Sequence, residues 1–399
     1  MIELLSPAGD LEKLRIAFHY GADAVYFGGQ DFGLRANAKN FSREDIKEAT
    51  KLAHKLGKRV YVTVNIIFHD EDFTGLEDYL TYLDQINVDA IMVSDVAVLA
   101  LCNDLKLKLE RYISTQTSVL NHEAALFYKS LGASRIVLAR EALKDDIIKI
   151  KARVGLELEA FTHGAMCTAF SGKCILSNYV TNRDANRGGC AQICRWHFKA
   201  YHPKSGELIA PDYQMAPKDL NMIPYFKEMI ESGINSFKIE GRMRSIYYIA
   251  TVLHTYRAML SRISNNCLTP AYTNYYLKVL NRCANRESVP QFFKKLPGVN
   301  EQYYLSGEDE QSNQDFLGIV LENKNGVITL EQRNHFRVGD QVEFFGPNIE
   351  IIKYEVKDLY DEKMQPITVA PHAQMIVKIK AEMPLEPYDI MRCKTFDIC

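Results

Sequence analysis

Short apolar runs rich in β-branched and aromatic residues recur along the first 160 residues. They lie at Ile2–Leu5, Ala24–Phe27, Val60–Val64, Ala90–Val93, Tyr112–Thr115, Arg135–Leu138 and Leu156–Phe161. A spacing of about 20 to 35 residues is that of β-α units around a parallel sheet. Helical windows fall between the runs. Ser42 followed by Asp45 has the form of a capping box; Ile46, Ala49, Leu52, Ala53 and Leu56 then recur at helical spacing, and Gly57 stops the helix. Asn121 caps another helix, closed by Gly132. An eighth apolar run, Ser236–Ile239, comes only after a long insertion, with helices expected over Asp219–Gly233 before it and Ser245–Ile263 after it.

Eight strands alternating with helices predict an α/β fold, a TIM-type (β/α) barrel over 1–280, interrupted between strands 7 and 8 by an insertion at about 163–218. A doubly wound open sheet is the alternative. In the barrel, chemistry belongs at the C-terminal ends of the strands. The polar residues there are Asn65, Ser94, Asp95, Gln116, Arg140, Glu141, His163, Glu240 and Arg242. Residues 281–314 turn polar and Pro/Gly-marked, as a linker does. From 315 to 399 the pattern is all-β: Asn325-Gly326 between Phe316–Leu321 and Val327–Glu331 is a two-residue hairpin signal, so a small C-terminal β-barrel domain is expected.

Charge adds one restriction. A formal net charge of −2 gives no global basic field, so any nucleic-acid surface must be local. No 18-residue apolar stretch predicts a membrane helix, and the first residues lack the basic and apolar regions of a signal peptide. A cytoplasmic location is expected. Nine cysteines in a reducing compartment are then ligands or thiols rather than a disulfide framework.

Four of the nine, Cys167, Cys174, Cys190 and Cys194, fall within 28 residues as C-x6-C-x15-C-x3-C, just beyond a barrel strand. Zinc sites favour pairs two to four residues apart, and only one pair here has that spacing. Thiolate-only ligands on an irregular loop suit a [4Fe-4S] cluster, whose corners are several ångströms apart. Zinc, or plain thiols without metal, are the competing readings. The same segment carries Lys173, Arg183, Arg187, Arg195, Lys199 and Lys204 against Asp184 alone, interleaved with Phe170, Tyr179, Trp196, Phe198 and Tyr201. Cations beside rings supply the phosphate contacts and stacking surfaces that unpaired RNA needs. Arg183, Arg187, Arg195 and Lys199 are the candidate RNA contacts; the alternative is that the arginines pair locally and the rings pack on the cysteine loop.

No nucleophile elbow and no phosphate-binding loop are present, and His122-Glu123 lacks the second histidine of a zinc-protease helix. Glu240-Gly241-Arg242 would place a carboxylate and a guanidinium at the barrel mouth, fit for an anionic ligand or for a structural pair.

Leu4-Leu5-Ser6-Pro7-Ala8-Gly9, Tyr26-Phe27-Gly28, Leu34-Arg35-Ala36-Asn37-Ala38, Glu159–Ser177 and Phe237–Arg242 resemble the collagenase-like peptidase family, the U-32 type. Met215–Leu220 and Arg244–Ala250 resemble its tRNA-hydroxylation group. The resemblance implies formation of 5-hydroxyuridine at the wobble position of tRNA, with a small prephenate-like carboxylate implicated as donor. It also implies a [4Fe-4S] cluster on the four cysteines; by their place at the end of strand 8 and in the loop after strand 2, Glu240, Arg242, Arg35 and Asn37 are the candidate residues of the reaction site. Peptide hydrolysis, which the family name states, and a non-catalytic RNA-binding protein with a structural cluster are the alternatives.

Overall fold

The computed structural model describes residues 2–34, 40–303 and 314–394, so Arg35 and Asn37 lie outside the described residues. These residues form two compact units: 2–18, 22–244 and 286–303 in one, and 19–21, 245–285 and 314–394 in the other.

The first unit is a closed parallel barrel. Its strands are β1 (Glu3–Pro7), β2 (Ala24–Gly28), β3 (Arg59–Val64), β4 (Ala90–Val93), β5 (Glu110–Ile113), β6 (Arg135–Val137) and β7 (Glu157–Gly164). The insertion follows, with a hairpin of β8 (Phe198–Tyr201) and β9 (Leu208–Tyr213) and then β10 (Asp219–Asn221). The eighth barrel strand, β11 (Ser236–Ile239), pairs in parallel with both β1 and β7 and closes the ring. Helices α1 (Leu11–His19), α2 (Arg43–Lys55), α3 (Leu76–Gln85), α4 (Val96–Asp104), α5 (His122–Ser130) and α6 (Lys144–Val154) connect the first seven strands. The Ser42–Asp45 capping box of α2 and the Asn121 cap of α5 form as expected from the sequence.

One expectation is corrected. Asp219–Gly233 is not a single helix. Pro224 in the interior of such a helix would remove a hydrogen bond and clash with the carbonyl four residues before it. The segment starts instead as β10, passes Pro224 in the first turn of a short 3-10 helix, and becomes helical at Phe226–Glu231. β10 runs antiparallel to the end of β7, with Leu220 opposite Gly164 and Asn221 opposite His163.

The barrel lumen is built on charge as well as hydrocarbon. Arg135 is 2% exposed and donates to Glu3 at 2.5 Å, Glu157 at 2.6 Å and Glu159 at 3.2 Å, with its guanidinium 4.2 Å from the Tyr112 ring. Lys238, one layer higher, donates to Glu159 at 2.9 Å and lies 4.2 Å over Tyr26. Burial disfavours the ionised Glu3, but the adjacent Arg135 outweighs this and holds its pKa below the ordinary value. Each lumenal charge at this level has a partner, as buried charges require.

The second unit is a separate all-β domain with two helices. Its sheet includes Phe316–Lys324 and Val327–Gln332, joined through Asn325 and Gly326, both at positive φ as the turn demands. The seven antiparallel strands of this sheet surround a core that includes Leu330, Phe344, Val377 and Met391. Helix Ile246–Ser264, capped by Ser245, adds Tyr247 stacked on Phe316 at 5.4 Å. Helix Pro270–Cys283 adds the Arg282–Asp315 ion pair. Both helices therefore group with the C-terminal strands, whereas the sequence pattern had grouped residues up to 280 with the barrel. Among the described residues no helix is long and apolar enough to cross a membrane.

Candidate active site at the barrel mouth

Two glycines set the shape of the rim. A Cβ on Gly28, at the end of β2, would lie 2.8 Å from the Arg242 guanidinium, so any larger residue there would push that side chain from its place. Gly164, at φ 110°, brings β7 so close to Glu240 that a Cβ would meet the Glu240 carbonyl oxygen at 2.5 Å. Arg242 is buried and donates to the carbonyls of Leu34 at 2.9 Å and Gly28 at 3.3 Å and to the Asn40 side chain. It thus grips both flanks of the 35–39 segment. Across the mouth, Asn65 donates to Gln116 at 2.9 Å and Ser114 at 3.3 Å, fixing the ends of β3 and β5. His163 is buried; desolvation, helped by the positive Arg244, lowers its pKa to about 3, so the ring is neutral.

The insertion lies on this C-terminal face and is tied to it loop by loop. Ser171 donates to Glu141 through its backbone at 2.7 Å and its hydroxyl at 2.5 Å. Arg187 makes a two-pronged pair with Asp72 and donates to the Ile67 carbonyl at 2.7 Å. That pairing, chiefly the hydrogen bonds from Arg187, pulls the Asp72 pKa down to about 2. Arg195 donates to Asp219 at 3.3 Å; Arg244 donates to the other oxygen of the same buried carboxylate at 3.2 Å, and Arg286 lies 3.9 Å away. Arg183 and Lys199 are exposed, as are Lys173 and Lys204. Around them Tyr179 is 81% exposed and Phe170 and Trp196 about half exposed. Of the four cations expected to meet RNA, two are on the surface and two hold the insertion down.

Cys167, Cys174 and Cys194 are partly buried, Cys190 is exposed, and all are free thiols. Asn186 clasps the Cys174 backbone from both sides, accepting from its N–H at 3.1 Å and donating to its carbonyl at 3.0 Å. The Cys194 carbonyl accepts from the Met215 N–H at 2.9 Å. The thiols share one electrostatic field. Burial first, then repulsion from the other three, raises Cys194 to about 11 against the pull of Arg195. Among the described residues no three or more His, Cys, Asp or Glu side chains are grouped so as to hold a metal ion. The donor chemistry, four soft sulfurs with no carboxylate among them, fits thiolate-held iron and sulfide.

Asn186 and the Asp219 arginine cluster were not singled out from sequence. Their partners are 12 to 67 residues away along the chain, and no local spacing announces them.

A closed (β/α)8 barrel, roofed at its catalytic face by a four-cysteine insertion, with a separate all-β domain, defines the class of protein. The pattern of peptidase family U32 matches residues 9–303, and that of the peptidase family U32 C-terminal domain matches 312–392. The chain belongs to that family. It is 44% identical over 98% of its length to a tRNA hydroxylation protein of Bacillus subtilis, covering 94% of that protein. It is 32% identical to a protein of Porphyromonas gingivalis named collagenase, over 97% of this chain and 96% of the other. It is also 39% identical, over 66% of its length and 40% of the relative's, to a 23S rRNA 5-hydroxycytidine synthase of Escherichia coli.

Proposed function

We propose that this chain is an iron–sulfur RNA-modifying enzyme that hydroxylates a pyrimidine base, the wobble uridine of tRNA, to 5-hydroxyuridine. The observation that carries the reading is the four-thiol insertion seated on a barrel mouth, beside a surface of exposed rings and cations: Phe170, Tyr179 and Trp196 with Lys173, Arg183 and Lys199. Two relatives named for RNA hydroxylation support the substrate class.

In this reading Cys167, Cys174, Cys190 and Cys194 hold a [4Fe-4S] cluster, which when bound supplies one-electron redox chemistry. The exposed rings stack RNA bases and the exposed cations meet phosphates, so that the target base is splayed toward the mouth. Arg242, by holding Leu34 and Asn40, fixes one wall of the mouth, at which a small carboxylate donor binds; Arg35 and Asn37 are candidates by sequence alone. Glu240, packed against Gly164, completes that wall.

Mass spectrometry of tRNA nucleosides tests the function. A deletion strain without a second family member should lose 5-hydroxyuridine, and Cys167→Ala should not restore it. Protein purified without oxygen should hold about four iron and four sulfide per chain. Normal 5-hydroxyuridine in the deletion strain would remove the function. The similarity to the protein named collagenase supports peptide hydrolysis as the second reading; peptide cleavage that persists without the cysteines would favour it.

A further inference from the structure

Among the described residues, the cations Arg135, Lys238 and Arg242 of the lumen and rim have polar partners, as do Arg195 and Arg244 on Asp219. Arg135 meets three carboxylates, Lys238 meets Glu159, and Arg242 is spent on two carbonyls and Asn40. Arg140, just beyond β6, differs. Among the described residues its guanidinium takes part in no hydrogen bond and no ion pair, and its Nε is buried without a partner. Its contact is with the face of Phe161, 4.2 Å from the ring centroid. Phe161 lies two residues above Glu159 on β7, and its ring also receives Lys238 at 5.3 Å, which places Arg140 at the top of the lumen. The Arg140 charge also reaches the Cys167 thiol and favours its ionised form.

A guanidinium stacked on a ring keeps its N–H edge for a planar, two-pronged acceptor. Arg140 as a whole is half-buried, but its buried Nε–H has no acceptor among the described residues, and such an unanswered donor is a place where a ligand can supply the acceptor. A second polar atom on the rim has the same character: Thr63 Oγ1, at the end of β3, is buried with no partner among the described residues.

We infer that Arg140 is the oxyanion-recognition residue of the barrel mouth. It takes a carboxylate of a small organic acid or the phosphate of the nucleotide that enters, with Phe161 backing the guanidinium. The role of that ligand in catalysis rests on the RNA-hydroxylation reading, but the binding is measurable without it.

The test is calorimetric titration of the full chain, purified without oxygen, with malonate and separately with inorganic phosphate. Wild type should bind at least one of the two. Arg140→Met, which keeps the unbranched apolar stem and removes the guanidinium, should weaken that binding about tenfold or more, and Arg140→Lys should recover it only in part. Iron content and visible absorption should stay unchanged in both variants. Preference for malonate assigns the site to a small acid; preference for phosphate assigns it to the nucleotide. The inference is overturned if wild type binds neither oxyanion, or if Arg140→Met binds as tightly as wild type. It is equally overturned if binding is kept while absorption and iron content change, since Arg140 would then serve the cysteines. Should Arg140→Met not fold, Arg140→Lys decides: unchanged affinity for both oxyanions rejects the two-pronged site. A strain that keeps normal tRNA nucleosides would sink the RNA reading and leave this binding result standing.

Discussion

The floor and the mouth of one barrel use arginine in opposite ways. At the floor, Arg135 is 2% exposed and surrounded by Glu3, Glu157 and Glu159. At the mouth, Arg140 has an aromatic face and no carboxylate among the described residues. The floor is a closed electrostatic unit that holds strands 1, 6 and 7 together, whereas the mouth keeps unsatisfied capacity. Stability and function are thereby separated along the barrel axis.

The largest effect should come from breaking the floor. Arg135→Met leaves Glu3 and Glu157 without their cation and Glu159 with Lys238 alone, and should cost about 3–5 kcal/mol. Arg140→Met should cost less than about 1 kcal/mol, as substitutions that break no native pairing do. Urea unfolding of the two variants measures both, and equal losses would erase the distinction between floor and mouth.

The insertion repeats the contrast on a smaller scale. Arg183→Ala and Lys199→Ala should each lower the slope of log tRNA affinity against log salt by about 0.9. Arg187→Ala should leave that slope alone and instead loosen the insertion, costing about 0.5–1 kcal/mol because its pair with Asp72 is partly solvated. Filter binding across a salt series reads the first, and limited proteolysis the second. If Arg187→Ala flattened the slope as much as Arg183→Ala, the clamp would be an RNA contact after all.

The smallest effect concerns protons. Burial holds His163 at a pKa of about 3, while in the unfolded chain it titrates near its ordinary 6.5. Below pH 6.5 the unfolded state takes up a proton that the folded state refuses. Stability is therefore complete above that pH and falls as the pH drops from 6.5 toward 3. Between pH 7 and 6.2 the loss from this one ring is about 0.5 kcal/mol. His163→Gln should remove that share of the pH dependence of thermal unfolding. His254, in the second unit, whose pKa desolvation lowers to about 4, should retain its own. An unchanged profile in His163→Gln would mean that the ring is reached by solvent.

The strands of the barrel were legible because each is an apolar run bounded by breakers. Ala90–Val93 and Ser236–Ile239 match to the residue, and the other six shift by only one to three residues at their ends. The Asn325-Gly326 turn was legible for the same reason: its chemistry is local. What escaped was pairing at a distance. Nothing near Arg187 points to Asp72, 115 residues earlier, and nothing in Gly241-Arg242 says that the guanidinium will be met by backbone carbonyls. Arg140 was visible as a strand-end residue, but its lack of a partner is a property of the folded surroundings. The Asp219 segment misled because its apolar spacing suits a helix, while Pro224 and the pairing with β7 decide otherwise.

The antiparallel contact between β10 and the end of β7 has an evolutionary consequence. His163 and Asn221 face one another, so the chain leaves the barrel and returns to it at the same place. The closure entropy of a loop whose ends are already stitched grows only slowly with its length. Lengthening, shortening or exchanging what lies between these two residues therefore costs the barrel little. The cysteine segment is a cassette: it can be rebuilt for a new RNA, or for a substrate that is not RNA, while the eight strands beneath it are inherited unchanged.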